Sequence, residues 1–339
     1  MRVLVTHAPK KMSIEEREIP QLGAGEVLVQ TRAVGLCGSD IHLYAGTHPY
    51  RTYPAVFGHE ASGRVNRIGE GVQGFNPGDH VVLEPLIPCG TCYPCRIGRT
   101  NCCERMRTIG VNEPGALADF FKVPSRCLHK VSEDLDPRIA SFCEPFSVGI
   151  QANYRGDIGE NDNVLIIGAG PIGLAVLAAA KQRGAKVAVA DLIDQRLKIA
   201  EQLGADLVFN VNRVDLGSEI KEWTQGDMAS VVVEAAGNPK TIERTVQLVS
   251  FAGRVVIVGV TEEPANVRGV DITKRELSIY GSRNNLGRFK EAVKYVSEHP
   301  QSASKMITHE YSYNEVIDAF KMAEAHPEQI CKVMINFEK

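Results

Sequence analysis

From about residue 161 the chain alternates short apolar runs with amphipathic ones in a regular order. "NVLIIGAG" reads as a buried strand, and "PIGLAVLAAAKQRG" as a helix stopped by glycine. "KVAVAD", a helix through "DQRLKIAEQLG", "DLVFN", a weaker helical stretch near Trp223, and "SVVVEAAG" follow. A helix from about Lys240 to Ser250 precedes "GRVVIVGV", and "ELSIYGS" closes the series. Such β-α alternation predicts a doubly wound parallel sheet with helices on both faces. Residues 1–148 have a different texture. "GEVLVQTRAVGLC" and "GDHVVLEP" are β-prone runs separated by Gly and Pro turns, which predicts a β-rich domain. The α/β domain is expected over 149–286. Residues 287–339 hold an amphipathic helix ("RFKEAVKYVSEH"), another near 314–325 and a last strand "CKVMINF". A return of this segment to the β-rich domain would place a cleft between the domains, a favoured ligand site.

Composition narrows the function. With 339 residues the chain is long enough for two domains, and 44% hydrophobic with 23% charged residues is ordinary for a globular protein. A net charge of −3 offers no basic footprint for nucleic acid or an anionic membrane. The apolar runs stop well short of a membrane span, and no secretion signal opens the chain, so a cytoplasmic protein is expected.

Five of the nine cysteines fall within "CGTCYPCRIGRTNCC". In a reducing compartment, dense cysteines point to metal more than to disulfides. Cys89, Cys92, Cys95 and Cys103 read C-x2-C-x2-C-x7-C, short loops that can fold four thiolates around one Zn2+. A closed four-sulfur site has no open position, so this lobe, about 88–104, is expected to be structural. Cys102 is left over.

Gly168-Ala169-Gly170-Pro171-Ile172-Gly173 is G-x-G-x-x-G, following a strand and opening a helix, as a dinucleotide site requires. Gly168 allows the tight turn, Gly170 lets a pyrophosphate approach, and Gly173 lets helix and strand pack closely. The helix N-terminus offers unpaired N–H groups to the phosphates. Asp191 ends the next strand, where an acid accepts the ribose hydroxyls and repels a 2′-phosphate. Leu192 follows, and Arg196 is read as flanking the ribose. The pattern predicts NAD rather than NADP.

Further upstream lie "GLCGSDIHLYAG" and "VFGHEASGRVNRIGEGV". Cys37, Ser39, Asp40 and His42 in the first and His59 and Glu60 in the second together offer thiolate, imidazole and carboxylate, a set suited to Zn2+ with a position left open. "GHEASGRVNRIGEGV" resembles the zinc alcohol dehydrogenase signature of the medium-chain dehydrogenase/reductase superfamily. The four-cysteine spacing, "CGSDIH" and "GAGPIG" fall in that family's order. Within it, "CEPFSVG" and "GSRNN" are similar to the polyol and sugar-acid branch of sorbitol, threonine and L-galactonate dehydrogenases and the starvation-sensing relative.

The resemblance implies a GroES-like catalytic domain joined to a Rossmann-type domain. It implies a catalytic zinc on Cys37 and His59, with Glu60 as third ligand or exchanging with water, and Glu144 beside the metal. Asp40 would orient His59, and Ser39 and His42 would pass the alcohol proton to solvent. Gly237, Val258 and Val260 are expected at the cofactor. With the lobe, two zinc ions per chain are implied. One departure is "GALADF", with Asp119 where many relatives carry glutamate.

Arg283 follows the last strand of the α/β domain, and an arginine there can take a carboxylate bidentately or a hydroxyl. Asn284 and Asn285 can add hydroxyl contacts. The expected partner is a small polyhydroxy molecule: a sugar acid of the L-gulonate or L-galactonate type, with neutral polyols and simple alcohols as alternatives. A metabolite-binding regulator and a zinc-free reductase are the competing classes, and the retained ligand set and Ser39/His42 pair argue against both. The strand-forming "RVVIVGV" and "LSIYGS" near the sheet's end suggest an edge that pairs with a second subunit across a two-fold axis, and the family resemblance implies dimers or tetramers, so a homodimer or homotetramer is expected.

Overall fold

The structure, a computed structural model, describes residues 1–48 and 53–337. It forms two compact units, Met1–Glu144 with Phe289–Lys339, and Pro145–Arg288. Among the described residues no helix is long and apolar enough to cross a membrane.

The first unit is built on a seven-stranded sheet. Its central strand, Glu26–Leu36, pairs antiparallel with Glu60–Ile68 on one side. At its other edge the same strand pairs with Phe120–Pro124 near its start and with Lys332–Asn336 near its end. The apolar positions that alternate along these strands meet in one core, with Val27, Val34, Leu83, Phe57, Leu117 and Phe320 all buried. The last strand of the chain is therefore a neighbour of the strand that leads into Cys37. Strand Ile307–Ser312, which the hydrophobic pattern does not signal, pairs in parallel with Lys332–Asn336.

The second unit holds six parallel strands in the spatial order Leu207–Asn210, Lys186–Asp191, Asn163–Ile167, Ala229–Glu234, Val249–Ile257, Ser278–Gly281. In chain order this is 3-2-1-4-5-6. The order reverses between Asn163–Ile167 and Ala229–Glu234, and the crevice at such a switch point is where ligands bind. Val164, Leu165, Ile166, Val231, Val232 and Val233 are completely buried, as expected of strands covered on both faces.

Two elements differ from the pattern reading. The helix that starts at Pro239 ends at Leu248, and Val249 and Ser250 already belong to the next strand. Val249 pairs with Ala229, so sheet pairing claims it from the helix. The helix Cys143–Gly156 is also absent from that reading. It buries Phe146, Ile150 and Ala152, but also Ser147, Gln151 and Asn153, so its polar positions mark no solvent face. Asn153 donates to the carbonyls of Gly149 and Val176, at 2.9 and 3.1 Å. Gly149 is needed there, since a Cβ would lie 2.5 Å from the Ala175 backbone.

Candidate active site

Cys37 sits between strand Glu26–Leu36 and helix Gly38–Ala45. Its backbone N–H donates to Asp40 Oδ2 at 2.9 Å, which closes the first turn and fixes the cysteine at the helix start. Glu60 opens the neighbouring strand, and its register partner is Gly35. A Cβ on Gly35 would lie 2.4 Å from Glu60 Oε2, so the carboxylate occupies the space a side chain would need. His59 precedes Glu60 and is buried, as is Asp40.

The donor atoms of Cys37, His59 and Glu60 lie within 4.8 Å of one another. His59 Nδ1 faces Asp40 Oδ1 at 3.4 Å. Neither atom has an aligned hydrogen bond among the described residues. Asp40 thus stands where it can orient the ring, at ion-pair distance rather than through a formed hydrogen bond. Burial opposes a charged His59, yet the Asp40 and Cys37 charges outweigh it and hold the imidazole pKa well above the ordinary value. The thiolate, imidazole and carboxylate donors of this cluster fit Zn2+.

Glu144, in the first turn of helix Cys143–Gly156, belongs to the same unit. Burial pushes its carboxyl up to about 7; His59 and Lys332 pull it down, while Glu60 and Asp40 push it further up. Ser39 and His42 lie one turn apart on helix Gly38–Ala45, and the side-chain partner of His42 Nδ1 is Thr47 Oγ1 at 3.0 Å. Asp119 forms a paired contact with Arg2, with Arg2 Nη2 2.8 Å from Asp119 Oδ1, and so ties the first strand to the sheet.

Cys89, Cys92, Cys95 and Cys103 also place their sulfurs within 4.8 Å of one another, and among the described residues no cysteine is in a disulfide. Cys102 lies outside this cluster. Hydrogen bonds from the backbone N–H groups of Thr91 and Cys92 pull Cys89 down to about 5. Burial, then the neighbouring Cys92, pushes Cys95 up to about 12. Four such thiols ionise together only around a cation, which is the fit expected of a closed zinc site.

In the second unit Gly168 has φ 102°, and Gly170 stands before helix Pro171–Gln182. A Cβ at Gly170 would meet nothing within 4 Å, which leaves an open cradle at the helix N-terminus. A Cβ at Gly173 would lie 1.8 Å from the Gly168 carbonyl oxygen. Asp191 accepts from the backbone N–H of Ala169 at 2.6 Å and of Ile193 at 2.9 Å, so it also braces the glycine turn. A pocket of about 280 Å³ is lined by Gly168, Gly170, Asp191, Arg196, Thr241 and Arg244, among others. Gly237 and Val260 do not line it; they adjoin each other, a Cβ on Gly237 lying 2.9 Å from the Val260 carbonyl oxygen, and the Val260 side chain is exposed. Val258 donates its N–H to the Glu234 carbonyl at 2.9 Å and likewise does not line the pocket. Arg283 and Asn284 follow strand Ser278–Gly281 in this unit, and Asn284 has φ 49°.

Gly173→Ala should therefore weaken NADH binding by about 10–100-fold, because a backbone carbonyl has to give way. Fluorescence titration with NADH checks this, and unchanged affinity would refute the close packing.

Sequence reasoning missed Glu234 and Lys332. Glu234 is fully buried, and its Oε1 accepts from the N–H groups of Ala236 and Gly237 and from Thr241 Oγ1 at 2.7–3.0 Å. Lys332 Nζ is buried against both Glu60 oxygens, at 2.8 and 2.6 Å. In each case the available signal was a charged residue set in an apolar strand, "VVVEAAG" and "CKVMINF".

Comparison with known proteins places the chain in a family. Residues 23–133 match the alcohol dehydrogenase GroES-like domain and residues 171–298 the zinc-binding dehydrogenase model. The starvation-sensing protein RspB of Escherichia coli K12 is 36% identical over 341 residues, covering 100% of both chains. L-Galactonate-5-dehydrogenase of the same organism is 32% identical, covering 99% of each. A crystal structure of the alcohol dehydrogenase rspB from E. coli CFT073, complexed with NADH, superposes with a TM-score of 0.93 at 36% identity, covering 99% of both chains. The glycine turn, the four-sulfur lobe and the Cys37–His59–Glu60 cluster thus stand in a chain that belongs to the zinc-type alcohol dehydrogenase family, oxidoreductases acting on CH–OH groups.

Proposed function

We propose that this chain oxidises a secondary alcohol of a sugar acid, of the L-gulonate or L-galactonate type at C5, and reduces NAD+. The Cys37–His59–Glu60 donor cluster carries the reading, and the likeness to L-galactonate-5-dehydrogenase supports the substrate class.

Cys37, His59 and Glu60 hold the catalytic zinc, with Glu144 beside it, and the four lobe cysteines hold the structural zinc. When bound, zinc supplies a Lewis acid that polarises the alcohol oxygen, and NAD+ supplies the hydride acceptor. Asp40 keeps the His59 ring in orientation. Ser39 and His42 carry the alcohol proton outward, and Thr47 steadies His42 at Nδ1. Gly168, Gly170 and the first turn at Pro171 and Ile172 take the pyrophosphate, and Gly173 keeps that helix close to its strand. Asp191 takes the ribose hydroxyls and repels a 2′-phosphate, with Arg196 flanking. Gly237, Val258 and Val260 stand next to the cofactor. Arg283 takes the substrate carboxylate and Asn284 a hydroxyl. The catalytic domain spans 1–148 and 287–339, and the NAD domain 149–286. The protein works in the cytoplasm as a homodimer or homotetramer. Strand Ser278–Gly281 ends the six-stranded sheet and supports that assembly; light scattering that gives a monomer would refute it.

NADH formation against a panel of aldonic acids, polyols and simple alcohols tests the substrate class, with Arg283→Ala beside the wild type. Strong turnover on one acid, reduced about tenfold or more in the variant, is the expected result. Turnover confined to neutral polyols would overturn the sugar-acid reading. No turnover, with two zinc ions bound, would point to the regulator.

A further inference from the structure

Lys332 belongs to the final strand, 272 residues from Glu60. Its side chain is 2% exposed and that of Glu60 3%. The ammonium donates to Glu60 Oε1 at 2.8 Å, to Glu60 Oε2 at 2.6 Å and to the Leu36 carbonyl at 3.2 Å. Three donors thus meet three acceptors, and the ammonium has none left over. Leu36 directly precedes Cys37, so one side chain joins the two segments that carry the Cys37, His59 and Glu60 donors.

The backbone holds Lys332 firmly. Ile307 pairs with Lys332 on one side, and Val333 pairs with Leu36 on the other. Thr308 Oγ1 donates to the Lys332 carbonyl at 3.1 Å. Glu60 is anchored equally well by its register with Gly35, and the absent Cβ of Gly35 gives its carboxylate room.

We propose that Lys332 is a positioning residue that governs how tightly Glu60 holds the catalytic metal. The proposal rests on the zinc site assigned above. A carboxylate has about four lone-pair sites, and Lys332 engages both of its oxygens. Glu60 therefore divides its charge between a fixed ammonium and the metal, which keeps it a displaceable ligand. Among the described residues the Lys332 ammonium donates to Glu60 and the Leu36 carbonyl, not to Cys37 or His59, and these two act as the permanent ligands. Without the ammonium, the whole carboxylate charge goes to the metal in a dry pocket, where charge pairs are strong.

The test uses the full-length zinc protein and its cobalt-substituted form, with Lys332→Met, Glu60→Gln and the double variant. Wild-type stoichiometry comes first. Two zinc ions per chain are expected, and one zinc confined to the four-cysteine lobe would overturn the site reading and this proposal together. Given two, release of the catalytic-site zinc to a chromogenic chelator should slow at least about tenfold in Lys332→Met. The lobe zinc serves as internal reference and should leave at the wild-type rate. The visible cobalt bands of Lys332→Met should shift, because the carboxylate stays ligated. Release as fast as wild type, or faster, with unchanged cobalt bands would overturn the role of Lys332 while leaving the zinc site standing. The double variant carries the test should Lys332→Met not fold, since it leaves no unpaired buried charge. Because Lys332 acts through Glu60, the double variant must release zinc at the rate of Glu60→Gln alone. A further change on removing Lys332 from Glu60→Gln would overturn the proposal.

Discussion

His59→Ala is expected to lower turnover by about 10³-fold or more and to leave one zinc per chain. The ring is buried beside Cys37 and Glu60 and supplies the neutral nitrogen donor of the cluster. Its loss leaves a thiolate and a carboxylate already shared with Lys332, too few donors to retain the ion. The fold should survive. His59 lies outside strand Glu60–Ile68, whose pairings with Glu26–Leu36 and His80–Leu83 do not use the ring. Zinc analysis, NADH formation and NADH titration measured together separate the causes. NADH affinity should stay within about threefold of wild type, since the cofactor pocket belongs to the other unit. Two zincs with wild-type turnover would remove His59 from the site.

Cys92→Ser should also leave one zinc per chain, but its main effect is on stability. Between Pro88 and Glu104 the buried apolar side chains are Cys92 and Cys103 themselves. Tyr93 and Ile97 are exposed, and the only regular structure is the short helix Tyr93–Arg96 and the 3-10 turn Thr100–Cys102. Such a segment has almost no core, so the metal must supply its cohesion. Losing it should cost about 3–5 kcal/mol, or roughly 10 °C in melting temperature. Calorimetry with zinc analysis checks this. One zinc with an unchanged melting temperature would mean that the lobe stands without metal.

The Asp119 carboxylate reaches both the Arg2 backbone N–H and its guanidinium, and so ties the first strand to the segment that leads into Phe120–Pro124.

What could be read from the chain alone was whatever its neighbours along the chain decide. The four lobe cysteines lie within fifteen residues, so their loops are short enough to close on one ion in any fold. The glycine turn Gly168–Gly173 and Asp191 follow from strand, turn and helix signals next to one another. The inner parallel strands Lys186–Asp191, Asn163–Ile167 and Ala229–Glu234 announce themselves as apolar runs because both faces are covered. Tertiary structure decided what distant segments do to each other. The ladder between Glu26–Leu36 and Glu60–Ile68 brings Glu60 opposite Gly35 and so beside Cys37. The final strand then sets Lys332 against the same carboxylate. No local pattern encodes either contact, because sheet pairing links residues through register rather than through sequence distance. The helix Cys143–Gly156 was hidden for a related reason. It is buried on most sides, so its polar residues answer to neighbouring carbonyls and leave no periodic stripe to read.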